Sequence, residues 1–135
     1  SAHEYYHMAK IFRSAEAYLI AAEASYLNND EANALKFLND LRTKRGASKI
    51  AAAGAELFKE IKNEWIREFV GEGQRMNDIK RWHDGVQRSN PQQESLVMTG
   101  SDYTTLSKTA DDMRIVWEIP NNDLNANSNL EGNWK

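Results

Sequence analysis

The stretch Asn63-Glu-Trp-Ile-Arg-Glu-Phe-Val-Gly-Glu-Gly-Gln-Arg-Met-Asn-Asp-Ile-Lys-Arg-Trp82 decides the fold. Upstream and into it, Leu57, Phe58, Ile61, Trp65, Phe69 and Val70 recur at steps of three and four, which places them on one apolar face of a helix. Gly71-Glu72-Gly73 then supplies backbone freedom that residues with a Cβ lack, and the helix stops there. Met76, Ile79 and Trp82 resume a three-residue step, so a second helix starts almost at once. Around the turn lie Glu64, Arg67, Glu68, Glu72, Arg75 and Asp78. Planar guanidinium–carboxylate pairing predicts that these groups bridge the bend.

Working outward, the preceding segment reads as a helical hairpin. Phe12, Ala15, Leu19, Ala22 and Tyr26 form the stripe of a first helix from about residue 11 to 28. Asn28-Asn29-Asp30 makes the turn, with Asp30 as the N-cap of a second helix that points Ala34, Leu35, Leu38 and Leu41 inward. Arg42, Lys44 and Arg45 suit the negative end of that helix, and Gly46 follows. Ala22 and Ala34 permit close approach, as in one tetratricopeptide-type unit. One such unit cannot bury its own face, so the Gly71 helix pair is expected to pack against it.

Beyond His83 the periodicity is lost until Met113, with turn signals at Asp84-Gly85, Ser89-Asn90-Pro91 and Thr99-Gly100-Ser101. Arg114–Ile119 alternates as a short strand or extended segment, Pro120 ends it, and the asparagine-rich tail is expected to turn, with a single helical turn near Asp123. The resulting expectation is a single domain over residues 1–135. It has a helical scaffold over 11–83, an irregular loop region over 84–113 and an extended tail over 114–135. The fold class is mainly α, with tetratricopeptide-like helical hairpins.

Composition narrows the function. A 135-residue chain with 41% hydrophobic and 27% charged residues has the balance of a globule. Its net charge of −3 gives no general attraction to nucleic acid, and Arg42, Lys44, Arg45, Lys80 and Arg81 sit at helix ends beside acids. No apolar run approaches the roughly 20 residues that a membrane helix needs. Without cysteine there are no thiol ligands. His3 and His7, four apart with Glu4 between them, are the sole metal-like pattern, and they sit at a terminus where a frayed helix end explains them better; no metal or cofactor is expected. The acids near Gly73 have cations beside them, which opposes a proton-donor role, so no catalytic residue is assigned. Tyr103, Trp117 and Trp134 lie outside the helical stripes and are the aromatic candidates for ligand contact, since such rings offer a flat apolar face with a polar handle.

These residues resemble a known family. Asn63, Glu64, Glu68, Glu72, Gly73, Arg75, Asp78, Lys80, Arg81 and Trp82 match the pattern N-E-R-R-x-E-L-x-F-E-G-x-R-x-x-D-L-K-R-W of SusD/RagB-type proteins. Ala15–Ala24 is similar to the family's A-E-x-Y-L-x-x-A-E-A helix, and Leu41–Gly46 to the helix end that follows it. Ile119-Pro120, Asp123-Leu124 and Asn127–Leu130 resemble its closing I-P-x-x-E-I-x-x-N-P-x-L. Trp65 and Ile66 replace a basic pair, Gly71 an aromatic, and Ser128 a proline. The resemblance makes Glu64, Glu68, Glu72, Gly73, Arg75, Asp78, Arg81 and Trp82 a structural motif. It also implies a non-catalytic binding component that captures nutrients, commonly glycans, at the outer-membrane cell surface. The implied partner is a SusC-like TonB-dependent transporter, and the chain would be the C-terminal part of a longer exported protein held to the membrane by a lipid outside this sequence. The competing readings are a freestanding helical module that holds a peptide, and, less well supported, a hydrolase using the acidic cluster.

Overall fold

The computed structural model describes residues 13–87 and 107–133. The elements in order are α1 (Ser14–Leu27), α2 (Glu31–Lys44), α3 (Gly54–Glu68), α4 (Arg75–Trp82), β1 (Val86–Gln87), β2 (Ser107–Lys108), a 3-10 turn (Met113–Ile115) and α5 (Asn121–Ala126). The protein is mainly helical, as its periodicity predicts. Among the described residues no helix is long and apolar enough to cross a membrane. The chain divides between Val70 and Gly71 into two compact units.

In the first unit, α1 and α2 form the expected hairpin, and α3 packs on both. Asn29 takes the left-handed conformation (φ 60°) that the tight turn demands and that asparagine tolerates. Asp30 caps α2: its Oδ1 accepts from the Asn33 backbone N–H at 3.1 Å. Ala22 on α1 and Ala34 on α2 are fully buried, so the two backbones approach closely. Leu19, Leu38, Leu57 and Ile61 fill the core. Tyr26 stacks on Phe58 with ring centroids 4.8 Å apart, and Trp65 stacks on Phe69 at 5.2 Å. The first pair ties the start of α3 to α1, and the second runs along the end of α3 itself.

After α2, the connection to α3 is held by side chains. The Asn39 amide donates to Ile50 O and accepts from Ile50 N–H, both at 2.9 Å. Gly54 N–H donates to Glu31 Oε2 at 2.9 Å. These bonds satisfy backbone groups that a loop otherwise leaves to water.

The second unit opens with Gly71 and Gly73, both at φ +79°, the left-handed region reached cheaply only without a Cβ. α4 follows and ends at His83, itself left-handed at φ 52°. β1 and β2 pair antiparallel, Val86 with Lys108 and Gln87 with Ser107. A Cβ on Gly85 would lie 2.5 Å from Lys108 O, so only glycine lets the strands come this close at that position.

Residues Arg114–Ile119, expected as a short strand or extended segment, begin in a turn and form no strand. Ile115 N–H bonds to Asp112 O at 2.9 Å and Val116 N–H to Met113 O at 3.1 Å, which winds the start into a 3-10 turn. Among the described residues no neighbouring strand is paired with the rest. Instead the Asn133 side chain takes that place, donating to Trp117 O and accepting from Ile119 N–H, both at 2.9 Å. The helical turn near Asp123 is present as α5, with Pro120 immediately before it.

Candidate functional site

The sequence motif divides at the glycine turn. Glu64 and Glu68 are four apart on α3, so they share one helix face. Arg42 and Arg45 are three apart at the end of α2 and share another. Arg42 Nη1 donates to Glu64 Oε2 at 2.7 Å. Arg45 Nε donates to Glu68 Oε2 at 2.9 Å, and its Nη2 donates to Oε1. Arg13, just before α1, adds Nη1 to Glu68 Oε1 at 2.8 Å and Nη2 to Glu68 O at 2.9 Å, while its guanidinium lies 4.6 Å from the Phe69 ring centroid. Arg67 joins Glu64 at 3.1 Å and Glu60 at 3.2 Å.

Glu64 and Glu68 thus each hold two guanidiniums, and both side chains are 7% exposed. This pairing differs from the expected bracing of the bend. The guanidiniums paired with these two acids come from the starts and ends of α1, α2 and α3. The reason is geometric: a helix face four residues long points sideways at its packed neighbours, not along the chain toward the turn. The Arg45 hydrogen bond, helped by the charges of Arg45 and Arg13, holds the Glu68 carboxyl below the usual glutamate range although burial pushes it up. Arg45 is raised in turn by Glu68.

Sequence spacing alone treats Arg42 and Arg45 as cations for the helix dipole and leaves Arg13 unassigned. Their actual role has a trace in the sequence: a three-step pair of arginines facing a four-step pair of glutamates.

In the second unit, Asp78 is buried and accepts from Arg81 Nη2 at 3.0 Å within α4. Arg81 lies 4.7 Å from the Trp82 ring centroid. Glu72, Gly73 and Arg75 are exposed. Trp117 is 85% exposed and held in place through the Asn133 amide on its own carbonyl. Tyr103, Trp134, His3 and His7 lie outside the described residues. Among the described residues no group of three or more histidines, cysteines and carboxylates could hold a metal.

One cleft of about 390 Å³ opens in this unit, with Ile79, Ile115 and Val116 as its apolar part and Lys80, His83 and Asp111 as its polar part. His83 Nε2 lies 3.2 Å from Asp111 Oδ1 at its rim. The left-handed turn at His83 that ends α4 aims the imidazole there, a placement that spacing alone does not reveal.

What the geometry defines is a scaffold: helical hairpins locked by guanidinium–carboxylate pairs, with loops and a turn-rich tail attached. A model of the SusD family matches residues 1–134, and the chain belongs to that family. It is similar to the starch-binding protein SusD of Bacteroides thetaiotaomicron, 29% identical over 126 residues that take in 91% of this chain and 20% of that protein. It is also similar to the crystal structure of a Bacteroides vulgatus protein described as sugar-binding, with a TM-score of 0.67 and 27% identity over 90% of this chain and 27% of that one. The chain therefore spans about a fifth of the length of the first relative and about a quarter of the second.

Proposed function

We propose that this chain is the C-terminal part of a nutrient-binding protein of the outer-membrane cell surface, which captures glycans without cleaving them. The carrying observation is the match to the SusD family along residues 1–134, with a relative named for starch binding. In this reading the three-helix unit supplies a rigid frame, and Trp117, Tyr103 and Trp134 offer rings to a sugar face. The partner is a SusC-like TonB-dependent transporter that takes over the captured ligand, and a lipid outside this sequence holds the whole protein at the membrane.

Capture without chemistry agrees with the electrostatics. A glycosidase acid must hold its proton near neutral pH. Glu68 is shifted the opposite way by its guanidiniums. Glu64 is ion-paired with Arg42 and Arg67.

Calorimetry of the gene's full product against a panel of polysaccharides tests the reading. The expected result is saturable binding of at least one glycan with no new reducing ends after prolonged incubation. Released sugar would overturn the non-catalytic assignment, and silence across the panel would overturn the glycan assignment. Purification of the protein from its own outer membrane should bring the transporter with it.

A further inference from the structure

The cleft beside α4 has walls that are tied to each other. α4 leads through His83 into β1, and β2 leads into the 3-10 turn. Val86 and Lys108 are partners in the antiparallel ladder, His83 stands three positions before the one and Asp111 three positions after the other. The register therefore carries His83 opposite Asp111, where Nε2 and Oδ1 lie 3.2 Å apart. Both side chains are largely exposed. Their contact orients the imidazole and leaves its Nδ1 and the second Asp111 oxygen to a ligand. Behind them, buried Ile79 and Ile115 make an apolar floor.

The end of α4 adds an independent sign. Asp84 N–H bonds back to Ile79 O at 2.9 Å, and His83 is left-handed at φ 52°, the helix ending at which glycine is the usual residue. A residue with a Cβ costs conformational energy there. Such strain gathers where a side chain is used, and what histidine adds over glycine is an imidazole at the cleft rim.

We infer that this cleft seats one unit of an uncharged glycan, with His83 and Asp111 holding its hydroxyls. The inference rests on the reading of the protein as a glycan binder, and gives the ligand a seat and a charge class. Its volume, about 390 Å³, lies in the range of small-ligand clefts, roughly 300–1,000 Å³. A sugar ring has an apolar C–H face for Ile79, Ile115 and Val116, and hydroxyls that donate to Asp111 and accept from Lys80. Charge selects the class. Lys80 and Asp111 are of opposite sign, and Asp112 is offset by Lys108 at 3.7 Å. A carboxylated or sulfated sugar would meet two acids at the mouth, whereas a neutral one meets no repulsion.

Calorimetry of the full gene product against starch, galactomannan and polygalacturonate tests the inference. His83→Gly is the principal variant, because glycine suits the left-handed backbone and removes the imidazole. Its melting temperature should hold or rise while affinity for a neutral polysaccharide falls roughly tenfold. Asp111→Asn, at an exposed position, serves as the second variant and should weaken binding likewise. With ¹³C-labelled histidine, the imidazole signal absent from His83→Gly should shift when that polysaccharide is added to the parent protein. Unchanged affinity in both variants would overturn the inference and leave the glycan reading standing. Binding of polygalacturonate alone, lost in Lys80→Gln, would assign the cleft to an acidic sugar and overturn the neutral class. Silence of the parent protein on all three would bring down the glycan reading and this inference together.

Discussion

Arg42 and Glu64, 22 residues apart, meet at 2.7 Å with side chains only 14% and 7% exposed. The same guanidinium donates through Nε to Ser48 O at 3.0 Å. One side chain therefore closes the connection after α2 and fixes the face of α3. An ammonium cannot do both, since it lacks the planar fork.

Arg42→Ala leaves a nearly enclosed carboxylate paired with the half-exposed Arg67. The expected loss is about 2–3 kcal/mol in urea unfolding, as for removing one member of a buried charged hydrogen bond. Arg42→Lys should recover only part of it. An apolar double replacement, Arg42→Met with Glu64→Leu, should be milder than Arg42→Ala, because no charge is stranded. A double variant as unstable as the sum of its singles would contradict this account.

Acid sensitivity follows from Glu68. Its folded carboxyl binds a proton less readily than the unfolded one, whose ordinary value is 4.5. Below that value the unfolded chain takes up more protons, so its population grows. The stabilisation is fully present above about pH 5 and is lost as pH falls through the lowered folded value. Glu68→Gln is expected to lower the melting temperature at pH 7 and to flatten its fall between about pH 5 and pH 3. Parallel melting-versus-pH curves for the two proteins would refute the assignment.

Gly73 sits at φ +79° with open space around any added Cβ. The cost of Gly73→Ala is then conformational strain alone, about 1–2 kcal/mol. Gly73→Asn should lose less, because asparagine visits this region more readily. Denaturant titration of the three proteins gives the ranking, and an alanine variant as stable as the parent would show that the turn relaxes.

Trp117 separates binding from stability. With the residue 85% exposed, Trp117→Ala should change unfolding free energy by no more than about 0.5 kcal/mol. If the ring stacks on sugar, affinity in the full gene product should fall roughly threefold to tenfold. Unaltered glycan affinity would remove Trp117 from the ligand surface.

Much of the scaffold was legible beforehand. The three- and four-residue recurrences around Leu19, Leu38 and Ile61 report burial directly, because an amphipathic helix must turn one face from water. Asp30, Gly71 and Gly73 announce their roles through local chemistry: a short acceptor for an exposed N–H, and a backbone without a Cβ. Of the two readings of Arg114–Ile119, a short strand or an extended segment, the strand is not formed, because alternation signals a strand only where a neighbouring strand is available to pair. Here the nearby groups are an aspartate carbonyl and an asparagine amide.

Periodicity and local turn chemistry by themselves determined the helices, the hairpin turn and the glycine break, while the quoted motifs carried the family resemblance. Those features depend on steps of one to seven residues along the chain. Tertiary structure alone decided that Glu64 and Glu68 pair with Arg42, Arg45 and Arg13, and that His83 reaches Asp111. Ion pairs and packing faces join residues tens of positions apart, so their identity is set by how helices cross in space, which local spacing does not encode.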